Sequence, residues 1–322
     1  MKRVASCFAL AVFMAASLLT LGAAAQDFPN QPIKIVIPNP PAGPGDVIAR
    51  HFADRATKIL GQPLVFDYRP GASTRLGTEV VAKSKPDGYT ILGFPSSGLT
   101  STLLHKNVPY DLRGDFRPII GLGSVPMALI VRSGLKLKTL DDFTAAARKT
   151  NLTYGSGGVG TLGHLSSAAL LTELGTTGTH VPYRGNNHAM IDIVAGHLDF
   201  GFLSIADAMA AVGADVTVLA VTSARRSKLL EAVPTIAELG RPDFDPKLWY
   251  AFLAPKQTPA DRVARLYAAF AEAAKDPTMQ SQLDKLGFNI EIREPDDLSK
   301  MMDAETVRWK RVIEANQITD EG

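Results

Sequence analysis

The chain has 322 residues, 46% of them hydrophobic and 20% charged, a composition that fits folded domains and argues against intrinsic disorder. Its 34 basic and 32 acidic residues nearly cancel, so neither a nucleic-acid surface nor a polybasic membrane patch is expected. The length suffices for one large domain or two of ordinary size.

The N-terminus reads as an export signal. Lys2 and Arg3 form a basic start, Val4 to Gly22 carries no charge, and Ala23-Ala24-Ala25 offers small residues for cleavage. The apolar run approaches membrane-spanning length. The polar Gln26 and Asp27 follow the small residues directly, which favours a cleaved leader over residues 1–25. Cys7 is the only cysteine; just three residues separate it from the basic start, so no apolar core precedes it as lipidation would require. The chain after the leader then has no disulfide, no thiolate nucleophile and no cysteine metal site. Without Lys2 and Arg3 it carries 32 basic and 32 acidic residues.

Short β-rich runs alternate with helical patterns, as in α/β layers around mainly parallel sheets. Ile33 to Ile37 reads as a strand, and Pro38 to Gly45 as a Pro/Gly loop. A helix follows from Asp46. Leu64 to Phe66 is a second strand with an exit loop at 69–74, and a helix spans 76–83. A third strand, Tyr89 to Phe94, leaves through Pro95-Ser96-Ser97-Gly98. Further on come a strand at 128–131, a helix starting at Thr139-Leu140-Asp141-Asp142, and a strand at 152–154. The last enters Gly155-Ser156-Gly157-Gly158-Val159-Gly160-Thr161, with a helix through about Leu174. His180 to Tyr183 is a strand, 186–195 a helix, and 200–202, 216–221 and 249–253 are strands. Helices near 259–274, 278–286 and 296–315 close the chain. The expected organisation is two α/β lobes, one from residues 26–124 plus 249–322 and the other from 125–248.

In parallel sheets ligands sit outside the carboxyl ends of strands, where helix N-termini present free N–H groups. The exit loops at 38–45, 69–74, 95–98 and 155–161 fit such a cleft for an anion or polar ligand. One loop of this kind would be an ordinary tight turn; four point to a binding site. The stretch 155–160 also matches G-x-G-x-x-G, but the strand before it is short and polar and no acid ends a clear following strand. No cofactor is therefore expected. Enzyme machinery is not evident: there is no G-x-S-x-G and no H-E-x-x-H, and no two of the six histidines fall at helical i, i+3 or i+4 spacing. Ser96, Ser97, Ser156 and Thr161 lack an evident base and read as binding groups, not nucleophiles. His164 either faces the ligand or packs locally. Trp249-Tyr250 is either an aromatic wall or core.

In order and spacing, these landmarks resemble the Bug-type family, the periplasmic solute-binding receptors of tripartite tricarboxylate transporters. They include Gln31 to Pro38 with Pro40, Gly43 and Asp46, then Arg69-Pro70-Gly71-Ala72 and Pro86-Asp87-Gly88-Tyr89-Thr90. They continue with Tyr154, Ser156, Gly158, Gly160 and His164-Leu165, then His180 to Gly185, Val221 to Arg226 and Leu253-Ala254-Pro255. The resemblance spans essentially the whole chain after the leader. It implies a periplasmic protein with a two-lobed periplasmic-binding-protein (Venus-flytrap) fold, built from two mainly parallel sheets with helices on both faces. It also implies a small organic acid ligand, membrane transporter subunits as partners, and a monomer that is no enzyme. The candidate ligand-binding residues are Asn39, Pro40, Ala42, Gly43, Ser96, Ser97, Ser156, Gly158, Gly160, Thr161, His164 and Ser204, together with Arg75, a charged clamp that the family pattern lacks, because Ser73, Thr74 and Arg75 replace its usual Gly-Gly-Asn type run. The chain departs from the family pattern at Asn39, Ala42, Pro44 and Gly45, where Pro44 removes an N–H donor. Leu203 stands where an Asp is common, which argues against an amino-acid ligand. A ligand-dependent sensor would share the same binding chemistry; an enzyme would need a convergent acid/base pair.

Overall fold

The computed structural model describes residues 28–211 and 213–320, so the expected leader over 1–25 and its Cys7 lie outside the described residues. β1 (Ile33–Ile37) buries Ile33, Ile35, Val36 and Ile37, the near-continuous apolar run of a parallel strand covered on both faces. α1 (Pro44–Leu60) starts with proline in its first turn and stops where Gly61 turns left-handed at φ 71°. β2 (Leu64–Tyr68), α2 (Arg75–Ala82), β3 (Thr90–Pro95) and α3 (Ser96–Leu104) complete the first set of βα units.

β4 (Phe116–Arg132) leads into α4 (Leu140–Lys149), β5 (Leu152–Ser156), α5 (Leu162–Glu173) and β6 (Gly178–Pro182). α6 (Asn186–Val194), β7 (Phe200–Ser204), α7 (Ile205–Ala210) and β8 (Val216–Val221) follow. The chain returns through β9 (Lys247–Pro255) and ends with α8 (Ala260–Ala273), α9 (Pro277–Lys285), β10 (Asn289–Arg293) and α10 (Pro295–Ala315).

The result is a two-lobed α/β fold. In the first half β2, β1 and β3 are parallel, β9 lies antiparallel between β3 and β4, and β10 is antiparallel to β4. In the second half β6, β5 and β7 are parallel, and β4 is antiparallel to both β7 and β8. The pairing is thus more mixed than the mainly parallel sheets expected. The reason is topological: the chain leaves the first half on β4 and comes back on β9, so those two must oppose each other. β4 pairs with β9 from Phe116 to Pro126 and with β7 from Met127 to Val131.

Helices cover both faces. Phe52, Phe252, Phe270 and Phe288 lie in a core that α1, α8 and α9 close with Ile48, Leu266 and Leu283. A second core runs through both halves, from Phe94, Leu99 and Phe116 to Phe143, Leu165 and Phe202, and is sealed by Trp249, Trp309 and Ile313. Thr139 caps α4 as its sequence suggests: its hydroxyl accepts from Asp142 N at 3.0 Å, and the Asp142 carboxylate accepts from Thr139 N at 3.0 Å.

Four elements are absent from the sequence reading. Residues 96–104 are a helix, although Ser, Gly and Thr are poor helix formers. Burial explains it: a Cβ on Gly98 would lie 2.4 Å from the Phe94 ring, so glycine permits the close packing that holds α3. The first half of β4, α7 and β10 are the others. No helix among the described residues is long and apolar enough to cross a membrane.

Candidate functional site

All four exit loops lie at the carboxyl ends of their strands. The loop after β1 is fastened by Asp46, which is 3% exposed. Its Oδ2 accepts the Ala42 N–H at 2.8 Å, its Oδ1 accepts the Tyr68 hydroxyl at 2.7 Å, and Arg50 Nε lies 3.0 Å from Oδ1. Burial pushes the Asp46 carboxyl up, but the hydrogen bonds from Tyr68, Ala42 and Arg50 outweigh it and hold it below the usual carboxylate range. Arg50 stacks 4.5 Å over Phe66 and also touches the Tyr68 hydroxyl. Ala42 is left-handed at φ 65°. With the Ala42 N–H spent and Pro44 lacking one, this loop keeps the N–H groups of Gly43, Gly45 and Asp46. Pro40 and Ala42 are exposed, and Asn39 and Gly43 half-buried. The Tyr250 ring backs the loop, 3.1 Å from where a Gly45 Cβ would stand; Trp249 is core.

The loop after β2 abuts the first: a Cβ on Gly77 would lie 2.9 Å from Pro38 Cα. Ala72, Ser73 and Thr74 are all left-handed, at φ 48°, 51° and 79°, a costly run for residues with a Cβ. Arg75 is folded back onto it, donating from Nε to Ala72 O at 2.9 Å. At β3, Ser96 and Ser97 open α3 behind Pro95, and neither hydroxyl makes a hydrogen bond within the described residues, so the first turn presents N–H groups and hydroxyls together.

The loop after β5 is held from behind. Ser156 is fully buried; its hydroxyl lies 2.9 Å from Gly158 O, 3.2 Å from Gly158 N and 2.8 Å from His180 Nε2. Thr161 donates its hydroxyl to Gly158 O at 2.8 Å. His164 accepts the Gly160 N–H on Nδ1 at 3.1 Å, and its ring stacks on His180 at 3.6 Å. Burial drives His164 down to about 3, aided by the neighbouring His180, and His180 down to about 4, so both rings are neutral. Gly158 and Gly160 take φ 135° and 71°, conformations that glycine adopts freely. The side chains of Ser156, Thr161 and His164 thus shape the loop instead of facing outward, leaving the first N–H groups of α5 unpartnered by the helix.

Gly157 approaches Asn186, whose Nδ2 donates to Asp207 Oδ2 at 3.1 Å. The Ser204 hydroxyl is committed to a capping box with Asp207, donating to Oδ2 at 2.7 Å and accepting from Asp207 N at 3.2 Å. Leu203 is fully buried, and Asp207, one turn on, holds its carboxylate against Ser204 and Asn186. The loop after β5 reaches the first half at α3, where a Cβ on Gly160 would lie 1.8 Å from Leu104 Cδ1. The sequence marks His180 only as a strand residue and family landmark and Asn186 only as a helix start, and it gives Asp207 no role. Their signal was weak, because each meets its partner only through strand pairing or a helix start.

A family model described as "Tripartite tricarboxylate transporter family receptor" matches residues 48–318. A protein of Pseudomonas sp. (strain P51), described as "UPF0065 protein in tcbD-tcbE intergenic region", is 35% identical over 290 residues, covering 89% of this chain and 86% of its own. A solved R. palustris protein with adipate superposes at a TM-score of 0.76 with 30% identity, covering 91% of this chain and 99% of that one. MatC from Rhodopseudomonas palustris with bound malate gives 0.73 at 28% identity, covering 89% and 100%.

Proposed function

This chain belongs to the tripartite tricarboxylate transporter receptor family, a family of solute-binding receptors and not of enzymes, and from that premise we propose that it captures a small organic carboxylate outside the cytoplasmic membrane. The ligand is then passed to membrane subunits of a transporter. The observation that carries this reading is the loop after β5, where buried hydroxyls and neutral imidazoles hold Gly158 and Gly160 from behind and leave the α5 N-terminus open to an anion. The R. palustris relatives solved with adipate and malate support the ligand class.

The lobes in this reading are 26–124 plus 249–322 and 125–248, a division supported by the change of β4 partners between Pro126 and Met127. The leader over 1–25 directs a monomer to the periplasm. Ligand bridges the loops of both lobes, and the closed arrangement is selected because only it makes both sets of contacts. The groups assigned to the ligand face are Gly43, Ser96, Ser97 and the first N–H groups of α5, with Arg75 released from Ala72 to meet a second anionic group. Titration calorimetry with malate, adipate, aspartate and glutamate tests this. Saturable one-to-one binding of a non-amino dicarboxylate is expected. If no organic acid in a broad panel binds, the reading falls, and tighter binding of aspartate than malate would assign Asp207 to the ligand ammonium.

A further inference from the structure

A chamber of about 430 Å³ opens beside the crossover strands, and no residue of the loops 38–45, 69–75, 95–98 or 155–161 lines it. Its floor is Ser124 and Pro126 of β4 with Lys247 of β9. One wall is the segment Thr222 to Leu229 after β8, and the facing wall is Asp284, Asn289 and Glu291 at α9 and β10. The first wall is pinned to both crossovers, because Thr222 Oγ1 accepts from Met127 N at 2.8 Å and donates to Pro246 O at 2.6 Å.

The charges in this chamber do not balance. Each acid lining it is already paired: Asp245 with Arg308 at 2.8 Å, Asp284 with Lys228 at 2.8 Å, and Glu291 with Lys247 at 3.2 Å. Arg293 presses on Glu291 as a second cation at 3.6 Å. Of the two arginines in the lining, Arg226 is matched by Glu238 at 3.0 Å, whereas Arg225 has no ion-pair partner among the described residues. Two hydroxyls of the lining, Ser124 and Ser223, are buried without a hydrogen-bond partner, and Ser124 is 1% exposed. Unsatisfied buried hydroxyls are rare and costly, and here they coincide with surplus positive charge. The volume falls in the range of small-molecule sites.

We propose that this chamber binds a small oxyanion of the sulfate or phosphate class, held by Arg225 and Lys228 with hydrogen bonds from Ser124 and Ser223. Its walls come from both sides of the crossover strands and are joined by the Lys228–Asp284 pair, so occupancy is coupled to the relative position of the lobes. By linkage, the anion and the cleft ligand change each other's affinity by the same factor.

The test is calorimetry and thermal unfolding with sodium sulfate against sodium chloride at equal ionic strength, so that screening cancels. Sulfate is expected to raise the melting temperature saturably above chloride. R225E, at an exposed position, is expected to weaken sulfate at least about tenfold, and S124A to weaken it severalfold. Organic-acid binding measured without sulfate stays within about twofold in both variants, since neither residue lines the cleft. The proposal is overturned if sulfate and chloride act alike, if R225E leaves sulfate affinity unchanged, or if a bound organic acid excludes sulfate one for one. Any of these leaves the carboxylate reading standing. Sulfate binding with no organic acid bound sinks that reading and keeps this one.

Discussion

The loops after β1 and after β5 do the same geometric work in opposite lobes, yet they are fastened from different directions. In the first, the fastening group is the carboxylate of Asp46, which draws in the Ala42 N–H and so consumes a donor the loop could have offered outward. In the second, hydroxyl donors from Ser156 and Thr161 grip the Gly158 carbonyl, and the His164 imidazole takes an N–H from behind, so the helix start beyond stays open. An anion site built on backbone depends less on how many glycines it contains than on which main-chain atoms its own side chains occupy. By that measure the second loop spends the N–H groups of Gly158 and Gly160 within itself and the first spends that of Ala42, so what each has left to offer is the start of its helix.

The largest effect expected from breaking this contrast is one of acidity. His164 and His180 have folded-state values near 3 and 4, below the ordinary 6.5 of an unfolded histidine. Between those limits the unfolded chain binds more protons, so stability is complete above about pH 6.5 and is lost as pH falls toward 4. Each ring that stays neutral costs roughly 2 kcal/mol at pH 5. Denaturant unfolding at pH 7.5 and pH 5 measures this, and His180→Asn is expected to remove about half of the difference. An identical pH dependence in the variant would mean that the pair does not hold the second loop.

Next comes Gly163, where a Cβ would lie 2.5 Å from the main-chain oxygen of Phe202. Gly163→Val is expected to cost about 3 kcal/mol in chemical denaturation, because backbone cannot move aside as a flexible side chain can. A neutral result would show that the contact between α5 and β7 does not set the loop. Asp46→Ala, by contrast, is expected to cost about 2 kcal/mol, since it strands the Tyr68 hydroxyl and Arg50 together. It also frees the Ala42 N–H, so organic-acid affinity should fall less than stability does. The smallest change sharpens the comparison: Pro44→Ala restores one N–H at the head of α1 and should tighten acid binding about twofold, or roughly 0.5 kcal/mol. Unchanged affinity would place the first loop out of contact with the ligand.

Much of the fold was legible because hydrophobic periodicity marks β1, α1 and the three closing helices plainly. The Thr139 cap was legible because its signal is local. α3 was not, since its Ser, Gly and Thr residues advertise a loop and only burial against Phe94 makes them a helix. β10 was hidden because Asn289 to Arg293 gains its meaning from pairing with β4, a strand 165 residues earlier at Ser124 and Asn289. The loops of the site were visible as Gly and Pro clusters, but their wiring was not. Nothing in the sequence says that His180 would stack on His164, sixteen residues away on a neighbouring element, or that Asp207 would bond Asn186.

β4 has one further consequence. Because a single strand of 17 residues lends its first part to one sheet and its last part to the other, neither lobe owns a complete set of strands. A fragment ending before Met127 would leave β7 and β8 without their shared neighbour, and one starting there would leave β9 with an open edge. A chimera that swaps one lobe must therefore rebuild the strand along which the two are sewn.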